Sequence, residues 1–346
     1  MERTTLSRES NMELLRLLSM LLVLIIHANT AFDPWPIGRE DIMSAPVHCF
    51  FRFLVESLSV VCVNAFILLS GWFSIKFSFK RLFSFIFQVL FFSLVLALLP
   101  SRNGQGAHLF FDIFTLNQYW FVKAYIILFL LSPVLNLFAE QASRIVFRNV
   151  LIAFFVMQTL FSYISNSIWF DDGFSPIPFI GLYLLSRYIR IHKPSFSSLK
   201  KGVDLAIYLG TALAVSVLSI VLIKLSGSGG RMFNYTNPVV ILMSIFFVLF
   251  FSKIRMKKSA VINWIAISSV GAYLLHMNPL FFEPYYINTI KSFSGLSSSV
   301  LAFGATVLFI IVVFMTGVLL DKIRGLLWNC CLGIMPARNH TENQAK

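Results

Sequence analysis

Apolar stretches long enough to cross a lipid bilayer recur along this chain and constrain its fold more than any other feature. Hydrophobic residues occupy 58% of its 346 positions and charged residues only 12%. An apolar helix of about 17–25 residues spans a membrane. Ten stretches fit, the sixth being short: 12–31, 48–71, 82–100, 119–138, 146–165, 174–189, 204–225, 237–252, 262–282 and 299–320. The chain is therefore predicted to be an all-α, polytopic integral membrane protein with about ten transmembrane helices.

Lysine and arginine residues are distributed unevenly between the predicted loops. When the N-terminus is placed in the cytoplasm, most of the 28 basic residues fall in cytoplasmic segments. This bias predicts an N-in, C-in topology, and it supports the sixth span, without which the basic segment 253–258 would lie outside. No removable signal peptide is expected, because the first apolar stretch is too long. Residues 1–325 form one predicted membrane domain, and residues 326–346 a short cytoplasmic tail.

The net charge of +13 is mainly a consequence of this topology. Basic loops also attract anionic lipid headgroups, so membrane lipids are expected partners. Nucleic-acid binding is not expected, because the charges are scattered over several short segments. The four cysteines show neither metal-binding nor disulfide spacing, and no metal site is predicted.

Arg16 and His27 lie eleven residues apart in the first predicted helix. Eleven residues make almost three turns, so the two side chains share one face and lie roughly 16 Å apart along the axis. Both are costly inside a bilayer, on the order of 2.5–3.5 kcal/mol for the arginine. Two such residues on one face of a spanning helix therefore indicate a functional site.

Three more polar side chains are predicted near the depth of His27, in the outer part of the bilayer: Arg52, Lys123 and His276. Glu56 is predicted one turn deeper than Arg52. Structural roles compete with functional ones at each position. Arg52 and Glu56, one turn apart, also fit a buried ion pair that fixes helix packing. The position of Lys123 also allows its side chain to reach the outer membrane interface, and His276 is also consistent with a hydrogen-bonded residue that only packs helices together.

A second cluster is predicted near the cytoplasmic end of the second span, at the level of Arg16. It contains Ser70, Gly71 and Trp72, and the basic residues Lys76, Lys80 and Arg81 follow. The basic residues are consistent with the usual excess of lysine and arginine next to the cytoplasmic ends of membrane spans. They also fit a basic entrance for a phosphorylated cytoplasmic ligand.

Four segments, in this order, resemble the acyltransferase-3 family of bacterial membrane acyltransferases. They are NMELLRLLSMLLVLIIH, VNAFILLSGWF, QYWFVKAYIILFLLSPVLN and SSVGAYLLHMNPL. The resemblance extends over most of the chain, from about residue 8 to residue 320. It implies a multi-pass protein of the bacterial inner membrane that transfers acyl groups, commonly acetyl from acetyl-CoA, to cell-surface glycans.

The family's signatures fall on particular residues of this sequence. The first-helix signature falls on Glu13, Arg16 and His27, with Glu13 standing where an aspartate is usual. A second signature, Phe-x-x-x-Ser-Gly-aromatic, falls on Phe66 and residues 70–72. In the third segment, Trp120 and Tyr125 are further site candidates beside Lys123.

The resemblance implies acyl transfer from a thioester to a hydroxyl, with His27 as the general base. An imidazole, with a reference pKa of about 6.5, suits the removal of a hydroxyl proton. A covalent acetyl-histidine is the alternative route. The outer cluster is expected to have supporting roles: Arg52 or Lys123 would stabilise the oxyanion, and Glu56 or His276 would orient His27.

The acyl donor expected on this basis is acetyl-CoA, with its phosphates on the cytoplasmic side. Arg16, Lys80 and Arg81, with residues 70–72, form the predicted CoA-binding set. The pantetheine arm measures on the order of 15–20 Å, which matches the axial separation of Arg16 and His27. The acceptor is expected to be a lipid-linked or polymeric glycan.

Two other classes of protein compete with this interpretation. A transporter or flippase for a lipid-linked sugar explains the many spans and the polar interior, but not the spacing of Arg16 and His27. Many transporters also carry an internal repeat, and none is visible in this sequence. A non-enzymatic scaffold leaves the buried polar residues unexplained.

Overall fold

The computed structural model describes residues 9–32, 36–98, 119–165 and 167–334, and these contain helices and no β-strand. The predicted all-α class is thereby confirmed. In chain order the α-helices are α1 (Ser10–Ala31), α2 (Arg39–Ser44), α3 (Pro46–Ser59), α4 (Val61–Phe73), α5 (Phe79–Ala97), α6 (Trp120–Gln141), α7 (Arg144–Gln158), α8 (Pro176–His192), α9 (Lys201–Ser226), α10 (Pro238–Ser252), α11 (Ala260–Ile267), α12 (Val270–His276), α13 (Pro279–Phe281), α14 (Asn288–Phe293) and α15 (Ser299–Ile334). Two π-helical segments, Thr159–Ile164 and Phe282–Ile287, continue α7 and α13.

Within these described ranges, eight helical segments are long and apolar enough to cross a membrane. They correspond to eight of the ten predicted spans, and the protein is a polytopic membrane protein. The second of them, Pro46–Phe73, consists of α3 and α4 with an interruption at Val60. The predicted sixth span is the shorter helix α8, which has 17 residues.

The predicted ninth span, 262–282, differs from the single helix expected. Its first part is divided into α11 and α12, and Asn278 then begins α13, where its side-chain oxygen accepts a hydrogen bond from the Leu280 amide at 3.1 Å. Pro279 has no amide hydrogen with which to continue α12. Non-helical backbone is tolerated inside a membrane where protein covers it or a cavity is lined. Helix α12 is therefore a short, separate segment, and it carries His276.

Helix α1 lies at the centre of the molecule. It packs against α3, α4, α10, α11, α12 and α15, so that both halves of the chain cover it. Two of its polar residues, Glu13 and Asn29, are consequently buried. The helix runs unbroken from Ser10 to Ala31, which keeps Arg16 and His27 on one continuous element.

Two close helix contacts depend on glycine. A Cβ atom on Gly317 in α15 would clash with the backbone of Ala272 in α12, and one on Gly71 in α4 would clash with the carbonyl oxygen of Tyr183 in α8. Small residues allow membrane helices to approach backbone to backbone. These contacts fix α12 against α15 and α4 against α8.

Helix α15 continues past residue 325 as far as Ile334. The first part of the segment predicted as a cytoplasmic tail is therefore helical. At 36 residues, α15 extends to about 54 Å, longer than the hydrocarbon core is thick. The orientation of the chain in the membrane remains the N-in, C-in prediction.

Candidate active site

A cavity of ≈ 210 Å³ lies at the end of α1 that contains His27. Its walls come mainly from α1, α4, α6 and α12, and apolar and aromatic side chains predominate. Two acid–base side chains, His27 and Glu56, line it. A single water needs only about 10–15 Å³ by the same measure, so the cavity can accommodate the reactive group of a substrate.

His27 and His276 form a direct pair beside this cavity. Nδ1 of His27 lies 3.2 Å from Nε2 of His276, and Nδ1 of His276 lies 2.8 Å from the carbonyl oxygen of Ala272. His276 is completely buried in α12. The two residues stand 249 positions apart, and the prediction that they share one layer of the bilayer agrees with this contact.

The hydrogen bonds assign the proton on each ring. A carbonyl oxygen only accepts, so Nδ1 of His276 carries a hydrogen and donates it to Ala272. A neutral His276 then has a lone pair on Nε2, which accepts the Nδ1 hydrogen of His27. The backbone carbonyl of Val23, one turn earlier, is a second acceptor for this ring hydrogen, and neutral His27 consequently has its own lone pair on Nε2. It is available to a ligand in the cavity.

Glu56 is held by a neighbouring asparagine. The Asn29 side-chain nitrogen donates to Glu56 Oε2 at 2.8 Å and to the Arg52 carbonyl oxygen at 3.2 Å. Both Glu56 and Asn29 are buried. This clamp joins the end of α1 to α3 and fixes the direction of the carboxyl group toward the cavity.

Arg52 is buried one turn before Glu56, but its guanidinium binds a different group. One of its terminal nitrogens donates to the carbonyl oxygens of Asn29 and Phe32, both at 2.7 Å. These carbonyls lie at the C-terminal end of α1, where a positive charge is favoured by the helix dipole. In this arrangement Arg52 fastens α3 to the end of α1 and is not among the residues that line the cavity.

Aromatic rings form one wall of the cavity. The ring of Trp120 lies 4.6 Å from that of Phe174 and 6.2 Å from that of Tyr235, with which it is nearly parallel. Trp120 and Phe121 are in the first turn of α6, so this helix begins beside the cavity. Lys123, one turn further, is exposed and does not line it.

The residues predicted for the cytoplasmic side lie elsewhere on α1 and α4. Arg16 forms an ion pair with Glu13 at 2.5 Å. The Ser70 hydroxyl donates to the Phe66 carbonyl oxygen at 2.9 Å and lies 3.3 Å from the hydroxyl of Tyr125. These contacts place Tyr125 against α4, one helical turn from the aromatic wall.

Trp72 and the basic pair after it surround the end of α4. The guanidinium of Arg190 lies over the Trp72 ring, 4.9 Å from its centroid. Lys80 and Arg81 are exposed in the first turn of α5, where Arg81 donates to the Lys76 carbonyl oxygen at 2.7 Å. Gly71 has a packing role against α8. None of these residues lines the cavity.

Sequence reasoning missed three residues of the site: Asn29, Tyr235 and Tyr273. Asn29 follows His27 by two positions, and spacing alone does not show that it reaches α3. Tyr273 precedes His276 by three positions, which places both on one face of α12. This spacing is the sequence feature that could have identified Tyr273 as a residue of the site.

The fold and the site together define a polytopic membrane protein with a histidine-based acid–base site in an apolar cavity. The sequence profile of the acyltransferase-3 family, described as an acyltransferase domain, matches residues 9–319. The chain therefore belongs to this family, and it is a membrane acyltransferase. No curated protein and no solved structure matches the chain.

Proposed function

We propose that this protein transfers an acyl group, in the first place acetyl, from cytoplasmic acyl-CoA to a hydroxyl of a cell-surface glycan in the bacterial inner membrane. The observation that carries the proposal is the placement of the two ring nitrogens of His27. Its Nδ1 lies 3.2 Å from Nε2 of His276, and its ring lines the cavity, where a lone pair on Nε2 can take a proton. Family membership supplies the acyl-transfer chemistry.

In the proposed reaction the acceptor hydroxyl is the nucleophile and His27 is the general base. The hydroxyl oxygen bonds to the thioester carbonyl carbon, and its proton passes to Nε2 of His27. The tetrahedral intermediate then collapses, the carbon–sulfur bond breaks, and the proton returns to the leaving sulfur. The products are an ester and free CoA thiol. His276 accepts a hydrogen bond from the imidazolium that forms in between.

The donor path that fits this chemistry runs along α1. Because α1 is continuous, Arg16 and His27 remain roughly 16 Å apart along its axis. An extended pantetheine arm is of similar length. The CoA phosphates would then lie at the predicted cytoplasmic end, near Arg16 and the exposed Lys80 and Arg81, while the acyl group enters the cavity.

A sugar is an acceptor that suits the cavity wall. The faces of a sugar ring carry C–H groups that pack on aromatic rings such as Trp120 and Tyr235. The Glu56 carboxyl, held by Asn29, can accept hydrogen bonds from hydroxyl groups. One hydroxyl would then be left to face His27.

The other candidate function is transport of a lipid-linked sugar without acyl transfer. The same aromatic wall would serve it, but a transporter has no use for an unprotonated imidazole nitrogen held by a second histidine. Labelled acetyl groups that appear on glycan in a CoA-dependent assay separate the two functions directly.

The test compares surface glycan from cells that carry the wild-type protein, no protein, His27→Ala or His48→Ala. Mass spectrometry and NMR report the acyl group, the sugar and the hydroxyl together. His48 is exposed on α3 and serves as the matched control. We expect acylation with the wild-type protein and with His48→Ala, and none with His27→Ala at equal protein levels in the membrane. Normal acylation with His27→Ala would refute the role of His27.

A further inference from the structure

Several buried tyrosine hydroxyls in the part of the chain that the structure describes are satisfied by the chain itself, and that of Tyr273 is not. Those of Tyr119, Tyr208 and Tyr286 each donate to a backbone carbonyl oxygen at 2.7 Å. The hydroxyl of Tyr273 makes no hydrogen bond of ordinary geometry with any described residue, although the backbone of Phe121 lies near it. A buried polar group without a partner is rare and destabilising, so it calls for an explanation.

Tyr273 is also placed beside the proposed chemistry. It is 6% exposed and lines the same cavity as His27. On α12 it precedes His276 by one turn, and the two ring centroids are 6.1 Å apart. A phenylalanine would fill the same space without the cost of an unsatisfied hydroxyl. The hydroxyl hydrogen is therefore available to a ligand in the cavity.

We propose that the Tyr273 hydroxyl donates a hydrogen bond to the thioester carbonyl oxygen of the bound acyl donor, which makes Tyr273 a second catalytic residue beside His27. This inference rests on the proposed acyl transfer. When the acceptor oxygen adds to the carbonyl carbon, the carbonyl oxygen gains negative charge, and a donor already aimed at it stabilises the intermediate. The Tyr273 proton stays on the phenol throughout, while the hydroxyl proton of the acceptor moves to His27.

The assignment replaces two residues that the sequence alone favoured for this task. Arg52 binds the carbonyl oxygens at the end of α1, and Lys123 is exposed on α6. Neither lines the cavity. The backbone near the phenol oxygen belongs to Phe121, whose amide lies in the first turn of α6, where the helix dipole favours negative charge. The surroundings of Tyr273 thus suit an oxyanion.

The experiment measures acyl transfer and thermal stability of the purified full-length protein with acetyl-CoA, for wild type, Tyr273→Phe, Tyr208→Phe and His27→Ala. Tyr208→Phe is the matched control, because it also deletes one buried hydroxyl, but one that binds the Leu58 carbonyl and belongs to a residue that does not line the cavity. For Tyr273→Phe we expect kcat to fall by about 10²–10³-fold with the KM for acetyl-CoA nearly unchanged. Its melting temperature should equal or exceed that of the wild type. Tyr208→Phe should show the opposite pattern, with a lower melting temperature and a normal kcat.

The outcomes separate this inference from the proposed function. If His27→Ala is inactive while Tyr273→Phe keeps wild-type kcat, the inference is wrong and the proposed function stands. If Tyr208→Phe loses as much kcat as Tyr273→Phe, the loss is a general effect of removing a hydroxyl, and the inference is also wrong. If the wild-type protein transfers no acyl group to any sugar acceptor, the proposed function fails, and the inference fails with it.

Discussion

Replacement of His276 tests how the second histidine acts on the first. Nε2 of His276 accepts the Nδ1 hydrogen of His27 at 3.2 Å, and it does so most strongly when His27 has taken the substrate proton and become cationic. His276→Leu removes this acceptor and keeps a similar volume. His276→Gln places an amide oxygen near the position of Nε2, where it can accept the same hydrogen.

The size of the effect follows from the hydrogen bond that is lost. A hydrogen bond to a charged group contributes about 1.5–3 kcal/mol. Each 1.36 kcal/mol corresponds to a tenfold change in rate, so His276→Leu should lower kcat by roughly 10- to 150-fold. The KM for acetyl-CoA should change little, because His276 is buried and does not line the cavity. His276→Gln should recover most of the lost kcat.

The assay is steady-state acyl transfer by purified protein, with the melting temperature recorded for each variant. A purely structural role for His276 would lower the stability and activity of both variants in parallel. The reasoning is refuted if His276→Leu retains wild-type kcat, or if His276→Gln is no better than His276→Leu at equal stability.

Two further predictions concern packing and charge. Gly317→Val should push against Ala272 and displace α12, which should lower the free energy of unfolding by about 1–3 kcal/mol and abolish acyl transfer. Gly304→Val, in open space on the same helix, should leave both stability and activity intact. Thermal denaturation and the transfer assay measure the difference. Lys253→Met should lower the free energy of unfolding by about 3–5 kcal/mol, because it breaks the ion pair of Lys253 with the fully buried Asp204. Replacing Asp204 by leucine in the same chain should restore much of the melting temperature. Equal melting temperatures for Lys253→Met and wild type would contradict this reasoning.

Regular patterns in the sequence predict much of the fold, because apolar length and helical periodicity are local properties. The unbroken α1 and the positions of Arg16 and His27 on it follow from these properties alone. The interruption of the ninth span was missed, although Asn278 and Pro279 are visible in the sequence. Hydropathy averaged over a long window does not distinguish one long helix from two short ones.

The partners of the polar residues were harder to predict than their depths. Equal depth correctly grouped His27 with His276, and the structure places them in contact. The same argument grouped Lys123 with them, yet that side chain is exposed. Depth along a helix comes from counting residues, whereas the direction of a side chain depends on how neighbouring helices are rotated. Arg52 illustrates this point, since it binds the end of α1 and its neighbour Glu56 binds Asn29.

The central claim is that the acyl group is transferred in the cavity beside His27, with the donor lying along α1. The most direct test is an electron cryomicroscopy structure with an unreactive acetyl-CoA analogue in which a methylene replaces the thioester sulfur. The account predicts the carbonyl group in the cavity, within hydrogen-bond reach of the Tyr273 hydroxyl, and the CoA phosphates near Arg16. An analogue whose carbonyl group lies outside the cavity, with His27 facing no part of it, would contradict the account.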